Sequence, residues 1–256
     1  MRKRFLGLFL LVMAVILSCC CLPVRGHSGD ILSAWTTTAP TIDGTIGGAE
    51  WASADTETFP LGAWPACRIY VMNDANNLYL ALEIPDATDD ANDVCSFFFD
   101  NNHNGVGAEN GDDCLVIWGI IPGSFGDHYF SGVAWISDAP AGTTDGSGAS
   151  SLSGGVHYFE FSHPLDTADD PHDFSLSLGD TVGFTTYYTD NAVWVGAWPG
   201  EEPDTYGDII IASSPAPSKP VGGEIFPVDK LALLAPYTAA VLVIATAAVV
   251  IRKRRY

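Results

Sequence analysis

Apolar positions along this chain come in short runs divided by turn residues, and no long segment repeats with the helical period of 3.6. Strands are expected at "CRIYVM" (67–72), "NLYLALEI" (77–84), "VCSFFF" (94–99), "CLVIWGII" (114–121), "HYFSGVAWI" (128–136), "VHYFEFS" (156–162), "TVGFTTYYT" (181–189) and "DIIIA" (208–212). Runs of this length and spacing predict an all-β, antiparallel sandwich. "NDANN" (73–77) supplies a tight turn between the first two, because Asn and Asp tolerate turn dihedrals and bond their own backbone. The Gly- and Ser-rich stretch 138–155 reads as a long mobile loop, and "SSPAPSKPVGGE" (213–224) opens an extended stalk. There is no internal repeat and no Asn-x-Ser/Thr sequon.

The ends of the chain carry a different pattern. After a basic cap, Phe5 to Leu17 is an apolar run of secretory-signal size, too short for a membrane span. Cleavage after Gly26, with small Val24 two positions before it, gives a signal peptide over 1–26; a lipobox reading of "ILSC" would instead lipidate Cys19. At the other end, 231–251 is uncharged for 21 residues. At about 1.5 Å per residue it crosses a hydrocarbon core of about 30 Å. A buried core helix would need polar punctuation that this run lacks. "RKRRY" (252–256) follows, and a Lys/Arg cluster stays cytoplasmic. The expected order is therefore signal 1–26, ectodomain 27–212, stalk 213–230, transmembrane helix 231–251 and basic tail 252–256. That puts the chain in the plasma membrane with its N-terminal domain outside.

Charge sharpens this division. All 31 acidic residues lie from Asp30 to Asp229, where the only basic ones are Arg68 and Lys219, so the stretch nets 2 − 31 = −29. Nucleic acid and anionic lipid are poor partners for such a surface. Most of these acids must be a solvated coat. "FFFDNNHNGVGAENGDD" (97–113) is different, because it packs carboxylates and amides into one hairpin tip. Asp100, Asn102 and Asn104 alternate before Gly105, the spacing that opens a calcium loop, and Glu109, Asp112 and Asp113 can complete an oxygen shell. Position 12 is Gly111 and no helices flank the loop, so it is not an EF-hand. The competing reading is an ordinary hairpin tip, since Asn, Asp and Gly build such turns. His103 is a poor ligand for a hard ion and is expected to face solvent.

Three cysteines follow the signal: Cys67, Cys95 and Cys114. With Phe99 opposite Cys114, Cys95 lies roughly 13 Å away along the hairpin. That is beyond the reach of a disulfide, which needs Cα atoms within about 7 Å. Buried thiols, or a bond involving Cys67, are expected. Catalysis has thin support: adjacent Asp112 and Asp113 would face opposite ways on a strand, and Ser162 beside His163 makes no triad.

Five segments in order, "TIDGTIGGAEW" (41–51), "RIYVMNDANNLYLALEIPD" (68–86), "FFFDNNHNG" (97–105), "YFEFSHPLD" (158–166) and "YGDIIIA" (206–212), resemble the family 9 carbohydrate-binding modules and their DOMON-like relatives over residues 31–213. "PVGGEIFPVDKLALLAPY" (220–237) is similar to a membrane anchor common on archaeal exported proteins. The resemblance implies a jelly-roll-like sandwich, non-catalytic sugar binding and structural calcium. Sugar recognition needs flat aromatic faces with carboxylates and amides beside them. Trp194 and Trp198, near Glu201, Glu202 and Asp204, are the expected stacking platform, with Trp64, Trp118 and Trp135 as further candidates. Trp51 lies in the opening motif and is expected in the core. Some DOMON-like relatives bind haem through Met with His or Lys; here only Met72 with His128, His157 or His163 is available. A surface scaffold or adhesion protein with the same fold and no sugar site is the alternative. Oligomeric state is not legible.

Overall fold

A computed structural model describes residues 30–106, 108–119, 124–201 and 205–214. The signal peptide, membrane helix, basic tail and nearly all of the stalk lie outside the described residues. Among those described, no helix is long and apolar enough to cross a membrane.

The strands in chain order are β1 (Ile31–Leu32), β2 (Ala34–Trp35), β3 (Asp55–Leu61), β4 (Trp64–Asn73), β5 (Asn77–Ile84), β6 (Val94–Asp100) and β7 (Asp113–Trp118). Then follow β8 (Ser124–Phe130), β9 (Trp135–Ser137), β10 (Ser147–Ser153), β11 (Val156–Pro164), β12 (Thr181–Asp190), β13 (Val193–Trp198) and β14 (Gly207–Ile210). They make two sheets. Sheet A runs β1-β14-β12-β6-β7-β8-β9, with β13 also on β12; sheet B runs β10-β11-β5-β4-β2, with β3 on β4. The sandwich is not purely antiparallel as expected, because β1 pairs β14 and β2 pairs β4 in parallel. Ser33 lies between two short parallel strands, so the chain start joins both sheets in turn.

Alternation explains the core. Ile69 and Val71 of β4, Leu80 and Leu82 of β5, and Phe159 and Phe161 of β11 face Phe97 and Phe99 of β6, Leu115 and Ile117 of β7, and Phe184 of β12. Phe97 meets Phe161 edge-on at 5.3 Å across the sheets. Full burial of such a side chain contributes about 1.5–3 kcal/mol. The three cysteines are buried and free. Cys114 stands opposite Phe98, not Phe99, and Cys95 opposite Ile117, so the two sulfurs remain apart.

Three local expectations are corrected. The expected mobile loop 138–155 contains β10, paired with β11 from Ser147↔Ser162 to Ser153↔Val156. Its small residues are a packing requirement: a Cβ on Gly148 would stand 2.7 Å from the Phe125 ring and 2.9 Å from Ile117. The expected strand 128–136 is broken by a turn in which Ser131 N–H donates to Ala134 O. The segment around Trp194, read as a loop before the last strand, is β13.

The two outer faces differ. Over sheet B the segment before β3 lays Trp51, Ile42 and Ile46 against Met72, Tyr79 and Ala81. Glu160 fastens it, accepting from Asp43 N (2.9 Å), Gly44 N (2.6 Å), Thr45 N (3.1 Å) and Trp51 Nε1 (2.6 Å). On sheet A the outward Ser96, Cys114, Val116 and Thr185 are buried, and the end that carries Trp118 and Trp194 is open.

Candidate functional site

On the open face of sheet A the register sets side chains in rows, because directly paired residues share a face. One row runs Trp194–Thr189–Val94–Trp118–Ser124 across β13, β12, β6, β7 and β8. Trp194 is 51 % exposed and Trp118 41 %. Three strand spacings separate them, roughly 14 Å. Trp118 leans over β8: a Cβ on Gly126 would fall 2.4 Å from its indole, and its ring meets His128 at 5.1 Å. Burial holds His128 below the ordinary imidazole range. Carboxylates close this end of the sheet, since Asp90, Asp93 and Asp190 bring oxygens within 4.8 Å of one another. Further along the face, Phe98 contacts Trp135 at 4.8 Å and Tyr187 at 4.9 Å. Trp135 is half-buried there, also packed on Phe130.

The expected pairing of Trp194 with Trp198 is not formed. Tyr188 pairs Gly196 and Thr189 pairs Trp194, so Val195 is an extra residue that reverses the alternation. Trp198 turns inward and stacks on Phe59 with centroids 4.2 Å apart. Glu201 is exposed beyond β13. Glu202 and Asp204 lie outside the described residues. Trp64 is likewise packed inward, edge-on to Tyr188 at 5.4 Å.

The hairpin tip fastens itself. Asp100 accepts from Asn104 N (3.2 Å) and Gly105 N (2.8 Å), and Asp112 from Asn101 N (3.2 Å) and Glu109 N (2.8 Å). Glu109 in turn accepts the side-chain amides of Asn102 (2.9 Å) and Asn104 (2.6 Å). Burial pushes Asp112 up to about 6. His103 is not simply solvated: its Nε2 lies 2.8 Å from Asp208 Oδ1. Asp113, expected to share an ion with these residues, faces the other way, as alternation at β7 demands. The tip's oxygens therefore do not form one shell with it.

Asp113 instead enters a buried acidic chamber between the sheets, with Asp127, Asp138 and Asp173, all essentially without exposure. Burial first, then the charges of Asp127, Asp173 and Asp138, drive Asp113 far above the carboxylate range. The Phe174 N–H eases this. Still, neither Asp113 oxygen has a hydrogen bond of ordinary geometry. Asp127 is pushed up to about 7 by burial, with Asp173, Asp145 and Asp169 adding to it. Apart from Asp113, none of these residues was singled out from sequence, but a signal existed. Asp113 shares parity with core Leu115 and Ile117, Asp127 with Phe125, and His163 with Phe159 and Phe161, so polar groups occupy inward positions on three strands.

A second polar centre joins the sheets. His157 Nδ1 lies 2.9 Å from Tyr188 Oη, which donates to Asp86 Oδ2 at 3.1 Å, while His157 Nε2 bonds Thr88 O. Met72 sits on the outer side of sheet B with Trp51. His157 and His163 point into the sandwich and His128 lies on the open face of sheet A, so the structure brings none of them to Met72.

No family model and no curated protein matches this chain. Among solved structures, a family 9 carbohydrate-binding module from Caldicellulosiruptor kristjanssonii in complex with cellotriose is similar at 15 % identity, TM-score 0.48, covering 75 % of this chain and 98 % of that one. The same organism's module in complex with glucose gives 16 %, 0.49, 75 % and 100 %. A Bacteroides uniformis protein described as carbohydrate-binding gives 12 %, 0.49, 73 % and 100 %. At such identities no residue role transfers between chains.

Proposed function

We propose that this chain is a non-catalytic carbohydrate-binding module whose glycan lies across the open face of sheet A, between the indoles of Trp118 and Trp194. The observation that carries this is the shared row: two exposed tryptophans at one end of the same sheet face, joined through Thr189 and Val94. Indole faces suit the C–H surfaces of sugar rings, and carboxylates accept their hydroxyl protons. The span of roughly 14 Å, three strand spacings, suits an oligosaccharide better than a single ring. The Ser162–His163 neighbour pair supports binding over hydrolysis. Ser162 bonds Ser147 on the outer side, while His163 is turned into the core.

On this reading the sandwich is exported by the 1–26 signal and displayed at the plasma membrane. It stands on the 213–230 stalk and is held by 231–251, which is uncharged and followed by four basic residues. A tag on the tail should become reachable by antibody only after permeabilisation.

The binding test is a glycan array with the full chain, then titration of the best oligosaccharide. Trp118→Ala and Trp194→Ala should each lose about tenfold in affinity, equivalent to about 1.4 kcal/mol. Binding unaltered by both substitutions, or self-association with no glycan signal, would overturn the reading in favour of a scaffold.

A further inference from the structure

The buried acidic chamber poses a charge problem that the fold does not solve internally. Arg68 and Lys219 are the only basic residues from Asp30 to Asp229. Arg68 is on β4 beside Glu83, at 4.0 Å. Among the described residues no basic side chain reaches Asp113, Asp127 or Asp173. Both oxygens of Asp113, Oδ1 of Asp127 and Oδ1 of Asp173 have no hydrogen bond of ordinary geometry, while Oδ2 of Asp127 accepts from Asp145 N (2.6 Å) and Oδ2 of Asp173 from Thr167 Oγ1 (2.5 Å). An uncompensated buried carboxylate is among the most costly groups a fold can hold.

His163 points to what compensates them. It is 1 % exposed, and its Nδ1 is 2.7 Å from the Pro164 carbonyl, which can only accept. The proton is therefore on Nδ1, and Nε2 carries a lone pair. That lone pair has no donor and faces Asp127 Oδ2 and Asp173 Oδ2, each at 4.0 Å. A lone pair aimed at carboxylates is repulsive unless a cation or a carboxyl proton stands between them. An imidazole whose far nitrogen donates to a backbone carbonyl is how metal-binding histidines are oriented. Single ligand atoms of Asp113, His163 and Asp173 lie within 4.8 Å of one another, as do those of Asp127, Asp145 and Asp173.

We propose that Asp113, Asp127, Asp173 and His163 Nε2 bind one divalent first-row metal ion, Mn²⁺ or Zn²⁺, that staples sheet A to sheet B. The nitrogen ligand sets the class, because Ca²⁺ takes oxygen shells whereas imidazole suits Zn²⁺ and its neighbours. Neighbouring His172, whose Nδ1 is 2.9 Å from Asp169 Oδ1, belongs to a separate cluster with Asp138 and Asp169. The ion joins β7 and β8 to β11 and the segment after it. It lies at the opposite end of β7 from Trp118, roughly 16 Å away along the strand. It would thus hold the scaffold without touching glycan, and its test is independent of sugar binding.

Chelator-treated full chain should be titrated separately with MnCl₂, ZnCl₂ and CaCl₂, followed by calorimetry and thermal unfolding. Mn²⁺ or Zn²⁺ should bind at one per chain, with metal at a hundredfold excess over Kd raising Tm by several degrees. Ca²⁺ should bind at least tenfold more weakly. Electron spin echo of the Mn²⁺ form should show imidazole nitrogen coupling that His163→Gln removes. Asp113→Asn should raise the Tm of the chelated chain and abolish the metal-dependent rise, two effects that misfolding cannot produce together. The absence of saturable Mn²⁺ or Zn²⁺ binding would overturn the proposal. So would Ca²⁺ binding more tightly than both with His163→Gln unaltered, or a full metal-dependent rise in Asp113→Asn.

Discussion

Trp194 and Trp198, four residues apart on β13, face opposite sides of sheet A because Val195 is inserted between their pairing partners. One indole is left exposed and the other packs against the core. Trp198→Ala should therefore cost about 3–5 kcal/mol in denaturant unfolding, while the surviving folded fraction keeps its glycan affinity. Trp194→Ala should show the reverse, near-native stability and weakened binding. Equal stability losses in the two variants would refute the bulge assignment.

Gly126 makes room for Trp118. With a Cβ placed 2.4 Å from the indole, Gly126→Ala must tilt the ring off the sheet. The expectation is weaker glycan binding and a shift in tryptophan fluorescence with little change in Tm, because the ring is displaced toward solvent. A variant that binds like the parent would mean the orientation of Trp118 is irrelevant to the ligand.

Glu160 closes the cover over sheet B through four donors. Replacing it by Gln removes the charge and turns an N–H₂ group toward those N–H donors. Glu160→Gln should cost about 2–3 kcal/mol, the scale of hydrogen bonds to a charged group. Urea titration read by near-ultraviolet circular dichroism of Trp51 is the check. A loss below about 0.5 kcal/mol, half a typical net hydrogen bond, would show that apolar packing alone holds the segment.

In metal-free protein the acidic chamber sets an unusual pH response. Asp127 is raised from 3.8 to about 7, and Asp113 is raised in the same direction. The folded state then binds more protons than the unfolded chain between about pH 4 and 7, so stability falls as pH rises through this window. Chelated protein should have a higher Tm at pH 5 than at pH 7.5, and saturating metal should flatten the difference. A chelated Tm that rises from pH 5 to pH 7.5 would contradict the burial of these acids.

Large alternating residues made β4, β5, β6, β7, β11 and β12 readable, because a buried strand face needs Phe, Leu, Ile and Val at every second position. β10 was not readable, since "SGASSLS" is chosen to be small: Gly148 must clear Phe125 and Ile117 of the opposite sheet. Trp51 was legible as core. Trp198 was not, because the bulge that turns it inward depends on its partner β12. Asp112 and Asp113 looked like one ligand pair, although alternation already implied that they part.

The sequence by itself determined an all-β fold, an acidic domain unsuited to nucleic acid, and the chemistry available to it, because composition and period act locally. Which tryptophans share an open row, and which acids meet His163, was decided only by the tertiary structure. Those groupings join residues as far apart as Asp113 and Asp173, brought together by strand pairing and by the packing of one sheet on the other.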